Sequence, residues 1–188
     1  MNKKPQIFTS KVNTLKYLET KLSKSIIEPF IDFTILEWKQ NSTKILDSIS
    51  KKFINQKIII RSSAEGEDSF DESKAGNYLS VLNINSNNKN EVKKAINSVN
   101  KSYQKKYNFE QTNQIFAQKQ TIDIKISGVV FTKAGNMGLP YYLINYDLGN
   151  STTSVTSGKD TKTMVIFRNK NLNSLLKTWK NLLKAIKE

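Results

Sequence analysis

Four stretches of the chain carry apolar side chains at the spacing of an amphipathic helix. In the first, apolar positions at Val12, Leu15, Leu18 and Leu22 fall on one face, with lysines and a glutamate on the other. A stripe of this kind predicts a helix that packs one face on a core. The four predicted helices cover residues 11–22, 37–53, 91–107 and 172–188.

Short runs of β-branched and aromatic residues lie between the helical stretches and predict strands. One of these runs, KIIIR, is expected to be a buried strand that ends at Arg61. Helices and strands occur together along the whole chain, so the predicted class is α+β, in one domain or in two closely associated lobes. The expected strands are KIIIR, NYLSVLNI, QIFAQKQTI, ISGVVFTK, LPYYLINYDL and TKTMVIFRN, and SIIEPFIDFTI is predicted to be extended.

Composition removes several kinds of chemistry. The 188 residues include no cysteine, which excludes disulfides and thiolate sites, and no histidine, which excludes the commonest general base and a phosphohistidine. No apolar run approaches the ~18 to 20 residues of a membrane span. The N-terminal MNKKPQIFTSK lacks the apolar core of a signal peptide, so a cytoplasmic location is expected.

The formal net charge is +14, which is compatible with a basic nucleic-acid-binding protein. The cations are nearly all lysines spread along the chain, however, and the arginines that commonly contact bases are few. A solvated lysine surface is therefore the favoured interpretation.

Arg61 is one of two arginines in the sequence, and a loop rich in serine, glycine and acids follows it. A guanidinium at the end of a strand can hold phosphate oxygens in a bidentate manner, and backbone N–H groups of such a loop can approach the same anion. The same arginine could instead pair with Glu65, Glu67 or Asp68 in a surface turn. The spacing matches no common nucleotide-binding loop, so the residues alone leave both interpretations open.

The stretch IIIRSSAEGEDSFDESKAGNYLSVLNI resembles the arginine-bearing signature of the N-terminal ATP-binding domain shared by phosphoenolpyruvate synthase and pyruvate phosphate dikinase. The segments SKVNTLKYLETKLSKSIIEPFIDFT, SVNKSYQKKY, IFAQKQTIDIKISGVVFT and VTSGK resemble further landmarks of that family in the right order. The sequence from INYD to VTSG is similar to an offshoot that includes the glutamine kinase of capsular phosphoramidate synthesis.

The resemblance implies an ATP-grasp-like, two-lobed nucleotide-binding domain over residues 1–188, with the second lobe from about residue 110 and the C-terminal end of the domain truncated. It implies that Lys11 and Arg61 contact the phosphates of ATP, with Arg61 the residue expected to act in catalysis. A loop centred on Gly76, and including Asn77, would cover the phosphates. Lys11 could also be a solvated lysine at the start of a helix, and Gln118 an ordinary strand residue. The adenine would meet Gln118, Lys119, Gln120 and Ile122.

The sequence differs from the family pattern at its C-terminal end, because the last predicted helix runs to residue 188. Members place magnesium-binding D-x-E carboxylates after that helix, so the Mg²⁺ ligands are expected outside this chain, and the acidic residues between 65 and 72 lack ligand spacing. We therefore expect an N-terminal part of a phosphotransferase, inactive alone, whose histidine and acceptor domains are separate and whose acceptor could be pyruvate or an amide such as glutamine. The alternative is a non-catalytic, degenerate ATP-grasp module for binding or assembly. Exposure of the Trp179 face of the last helix is expected to favour self-association.

Overall fold

A computed structural model describes residues 10–64, 79–104, 110–135, 137–149, 162–169 and 175–187. The chain divides into two compact units, Met1–Gln120 and Thr121–Glu188. Both units combine helices with antiparallel sheet, which confirms the predicted α+β class. Within the described residues, no helix is both long enough and apolar enough to cross a membrane.

The first unit begins with helix α1, whose start is fixed by Ser10. The Ser10 hydroxyl accepts a hydrogen bond from the backbone N–H of Asn13 at 3.3 Å, as an N-cap does. The second helix begins directly after a strand, where Thr34 and Glu37 form a reciprocal capping box. The elements of this unit are α1 (Lys11–Glu19), β1 (Phe30–Thr34), α2 (Ile35–Lys52), β2 (Lys57–Ser63), β3 (Ser80–Asn85), α3 (Lys89–Gln104) and β4 (Gln114–Lys119).

The four strands form an antiparallel sheet in the order β1-β4-β2-β3. Because side chains alternate along a strand, Ile58 and Ile60 of β2 share one face with Ile115 and Ala117 of β4, and all four are fully buried. This apolar face packs against α2 and α3. The inward residues predicted for the third helix are confirmed as core residues: Val92, Ile96, Val99 and Tyr103.

The second unit contains β5 (Ile126–Phe131), β6 (Tyr141–Leu148), β7 (Lys162–Phe167) and α4 (Lys177–Ile186). Its strands form an antiparallel sheet in the order β5-β6-β7. Tyr142, Ile144 and Ile166 on one face of this sheet form a separate core with Trp179 and Leu183 of α4. Each unit therefore has its own hydrophobic core.

The expected exposure of the Trp179 face is wrong. Trp179 is only 8% exposed, because it packs edge-on against Tyr146 with 4.7 Å between the ring centres. The exposed apolar side chains of this unit include Val129, Phe131 and Val165, which lie on the opposite face of the sheet.

Candidate functional site

Arg61 lies on the face of the first sheet that is turned away from the apolar core. Its neighbours in β2, Ile60 and Ser62, point to the core side, so alternation places the guanidinium on the other face. The Nη1 group of Arg61 donates a hydrogen bond to Oε1 of Gln118 at 3.2 Å. The guanidinium also lies 5.3 Å from the ring centre of Phe116, which is directly opposite it on β4.

Phe116 forms the floor of this part of the face. The ring is fully buried and meets Phe30 of β1 edge-on, with 6.0 Å between the ring centres. A guanidinium above an aromatic ring is attracted electrostatically by the ring. Phe116 and Gln118 therefore hold Arg61 from below and from the side.

The start of α1, which carries Lys11, lies on the same face. The backbone N–H of the next residue, Val12, donates a hydrogen bond to the Ser63 hydroxyl at 2.9 Å, and Ser63 is two residues beyond Arg61 on β2. The hydroxyl of the N-cap, Ser10, donates to Oε1 of Gln114 at the start of β4 at 2.9 Å. Two strands of the sheet thus fix the start of the helix that carries Lys11.

A buried tyrosine secures this junction from the core side. The Tyr103 hydroxyl accepts a hydrogen bond from the backbone N–H of Ser63 at 2.7 Å and donates one to the carbonyl oxygen of Gln114 at 2.6 Å. The side chain of Tyr103 is 0% exposed. Helix α3, which carries it, therefore bridges the two strands at the point where α1 is attached.

Two described carboxylates, on β1 and in the segment before it, have lysine partners. Asp32 lies opposite Phe116 on β1, and its Oδ2 is 2.7 Å from Nζ of Lys16. The carboxylate of Glu28 lies 3.4 Å from Nζ of Lys119. These pairs offset the negative charge around a cationic site, so the face can accept an anion.

Gln120 and Ile122, which were also expected to meet the adenine, lie in different surroundings. The Gln120 amide is bonded at both ends to Asn83: Oε1 accepts from its backbone N–H at 2.7 Å and Nε2 donates to its Oδ1 at 2.8 Å. Asn83 has a φ of 63°, at an irregularity in the β2–β3 pairing. Ile122 is 68% exposed and belongs to the second unit.

Parts of the predicted site lie outside the described residues. They comprise the phosphate-covering loop of Gly76 and Asn77, and the acidic residues Glu65, Glu67 and Asp68 that could pair with Arg61. The structure thus brings Lys11, Arg61 and Gln118 to one face of one sheet.

The described residues contain no cluster of metal-ligating side chains. Among them there is no group of three or more histidine, cysteine, aspartate or glutamate side chains placed to hold a metal ion. Carboxylate oxygens are the protein ligands that Mg²⁺ prefers.

Two supporting residues were not identified from the sequence. Ser63 and Phe116 touch the elements that carry Lys11 and Arg61, but Ser63 was expected in the loop after the strand, and nothing in its local sequence distinguishes Phe116 from an ordinary strand residue. The available signal is alternation in QIFAQK, which puts Gln114, Phe116 and Gln118 on one face. This alternation identifies Phe116 as a neighbour of Arg61 only once the register of β4 against β2 is known.

Comparison with known proteins identifies the family of the chain. No curated protein matches the sequence closely enough to be compared. The family model described as pyruvate phosphate dikinase, AMP/ATP-binding domain, matches residues 4–182. That match covers most of the chain, so the chain belongs to the pyruvate phosphate dikinase AMP/ATP-binding domain family.

Proposed function

We propose that the polar face of the first sheet binds the phosphates of ATP, with Arg61 as the principal contact and Lys11 as a second cation. The observation that carries the proposal is the placement of Arg61, which is oriented by Gln118 and Phe116 beside the strand end that fixes the start of α1. A guanidinium held in this way can present its planar donors to two phosphate oxygens together.

Lys11 complements Arg61 in a different manner. An ammonium group on a flexible stem acts as a compact point charge and adjusts to the anion that arrives. Its backbone is fixed between Ser10 and Val12, both bonded to the sheet. The proposed loop around Gly76 and Asn77 would close over the phosphates.

The adenine is proposed to lie against the end of β4 and the residues after it, Gln118 to Ile122. Lys119 is anchored there by its backbone N–H, which donates to the carbonyl oxygen of Pro29 at 3.0 Å. The backbone N–H of Gln120 donates to the carbonyl oxygen of Lys57 at 2.9 Å. These bonds give Lys119 and Gln120 a fixed backbone at the end of the first unit.

We further propose that the chain supplies the ATP-binding part of a phosphoenolpyruvate-synthase-like phosphotransferase. In the complete phosphotransferase, a phosphoryl group would be transferred from ATP to a histidine and then to an acceptor such as pyruvate or the amide of glutamine. The sequence has no histidine, and its described residues contain no group of three or more candidate metal ligands. The chain alone should therefore bind ATP without completing the transfer, and any Mg²⁺ ligands would come from elsewhere.

Nucleotide titration of the full chain tests the binding proposal. Isothermal calorimetry with ATP should show that Arg61→Ala weakens binding by about tenfold to a hundredfold, since a hydrogen bond to a charged group contributes about 1.5 to 3 kcal/mol. Arg168→Ala is the matched control, because Arg168 also lies over an aromatic ring, 5.4 Å from the centre of Tyr142, but in the second unit. Equal affinities of the wild type and Arg61→Ala would refute the phosphate role of Arg61.

A further inference from the structure

Gln118 has a side chain whose two amide ends are both engaged. Its Nε2 donates to the backbone carbonyl oxygen of Glu28 at 3.1 Å, and its Oε1 accepts from Nη1 of Arg61 at 3.2 Å. A carbonyl can only accept and a guanidinium can only donate, so the two partners fix which end of the amide faces which. The side chain is 8% exposed, so a reversed amide would leave two unsatisfied contacts in a poorly solvated place.

The partner that orients Gln118 is itself held in place. The backbone N–H of Lys119 donates to the carbonyl oxygen of Pro29, and Nζ of Lys119 lies 3.4 Å from the carboxylate of Glu28. The segment before β1 is therefore tied to β4 at two points next to Gln118. Its carbonyl oxygen at Glu28 is a fixed reference for the amide.

The geometry points to Gln118 as a positioning residue for Arg61. Gln118 orients the guanidinium that binds the phosphates of the nucleotide, and it does not itself contact the base. Gln118 is the diagonal neighbour of Arg61, since it lies opposite Ile59 on β2, and diagonal pairs of long side chains reach each other on one face of a sheet. The inference rests on the proposed function of Arg61. The proposed adenine contacts are narrowed accordingly: Gln118 is no longer one of them, and they come from the residues after it.

An amide suits this task better than a carboxylate. It accepts a hydrogen bond from the guanidinium without neutralising it, so the positive charge remains available to a phosphate. Glutamate at position 118 would form an ion pair with Arg61 and compete with the ligand for it. The two substitutions Gln118→Met and Gln118→Glu therefore separate orientation from charge, since methionine removes both hydrogen bonds at similar volume.

Affinity measurements with ATP and with adenosine distinguish the two roles of Gln118. If Gln118 acts through Arg61, Gln118→Met should weaken ATP binding by about tenfold, the effect of one hydrogen bond to a charged group, and leave adenosine binding unchanged. Gln118→Glu should also weaken ATP. The double variant Arg61→Ala/Gln118→Met should bind ATP as Arg61→Ala does, because the amide then has nothing to orient.

A second readout does not depend on nucleotide. Arginine-selective ¹⁵N labelling gives side-chain signals from Arg61 and Arg168 alone, since the sequence has two arginines. Gln118→Met should shift the Nε–H signal of Arg61 and leave that of Arg168 in place. The unchanged Arg168 signal shows that the second unit is folded, and an unchanged fluorescence of the buried Trp38 checks that the first unit is folded as well.

Two results would overturn the inference. One is a loss of adenosine affinity equal to the loss of ATP affinity, or losses that add in the double variant, which would assign Gln118 to the base. The other is an Arg61 signal that Gln118→Met does not move. A wild-type chain that binds no ATP would refute the proposed function instead, while the labelling experiment would still decide whether Gln118 orients Arg61.

Discussion

Replacing Tyr103 by phenylalanine removes one buried oxygen from the junction of β2, β4 and α1. The ring can keep its place in the core, because the side chain is 0% exposed and phenylalanine has nearly the same shape. The backbone N–H of Ser63 would lose its acceptor, and the carbonyl oxygen of Gln114 would lose a donor. The perturbation is thus the loss of two hydrogen bonds with little change in packing.

The size of the effect follows from burial. Ser63 is 1% exposed, so its N–H would be left without a partner away from water, at about 1 to 3 kcal/mol. Gln114 is half-buried, and its carbonyl oxygen adds a smaller amount. We expect a total loss of about 2 to 3 kcal/mol, which lowers the urea midpoint by about 1 to 1.5 M at an m value of about 2 kcal/mol/M.

Tryptophan fluorescence can report on the first unit separately. Each unit has one buried tryptophan, Trp38 in the first and Trp179 in the second. In a Trp179→Phe background, the urea transition followed by fluorescence therefore reports on Trp38 and the core around Tyr103. The matched control is Tyr141→Phe, a half-buried tyrosine of the second unit beside Phe167, which should leave this transition unchanged within about 0.5 kcal/mol.

A Tyr103→Phe variant as stable as its parent would refute this reasoning. It would mean that the N–H of Ser63 finds another partner at no cost, and that the hydroxyl does not secure the strand end. A Tyr103→Gln variant with the parent's free energy of unfolding would equally count against it, since stability here requires an aromatic ring in the core and a hydroxyl at its edge.

Two further predictions concern other parts of the chain. Gly128→Ala should destabilise the second unit by about 1 to 3 kcal/mol, because an added Cβ would lie 2.6 Å from the carbonyl oxygen of Asn145. Amide hydrogen exchange should become faster in β5 and β6 but not in β2. The control Val129→Ala should have a smaller effect on the same amides. The pKa of Asp47 should lie below its usual value of 3.8, since the hydrogen bond and charge of Lys89 favour the carboxylate. A lowered folded pKa means that this stabilisation is present above the unfolded pKa and is lost as the pH falls through the folded one; NMR titration should show the pKa rising in Lys89→Gln, and an unchanged pKa would contradict the pairing.

The sequence predicted the elements better than their ends. The α3 stripe identified its buried residues correctly, because period and burial coincide in an amphipathic helix. The strand predicted to end at Arg61 continues to Ser63, since pairing with β4 extends it beyond its apolar run. Helix α2 starts earlier than predicted, at Ile35, because the capping box at Thr34 joins it directly to β1.

The site was predictable only in part. Arg61 stood out by residue type and by its position after an apolar run. Its support by Phe116 and the attachment of α1 through Ser63 depend on which strands pair and in which register, and local sequence does not encode that. The Tyr103 hydroxyl was likewise hidden, because its ring satisfies the helix stripe as any apolar residue would.

The alternation along β2 limits how its length can change. Ile60 and Arg61 are adjacent in the chain but belong to opposite faces, one to the core and one to the proposed site. A one-residue insertion between them would put both side chains on the same face, so either the guanidinium would enter the apolar core or the isoleucine would face the nucleotide. An insertion of two residues would restore the faces but move Arg61 away from Phe116. Strand β2 should therefore tolerate many replacements of side chains before it tolerates any change in length.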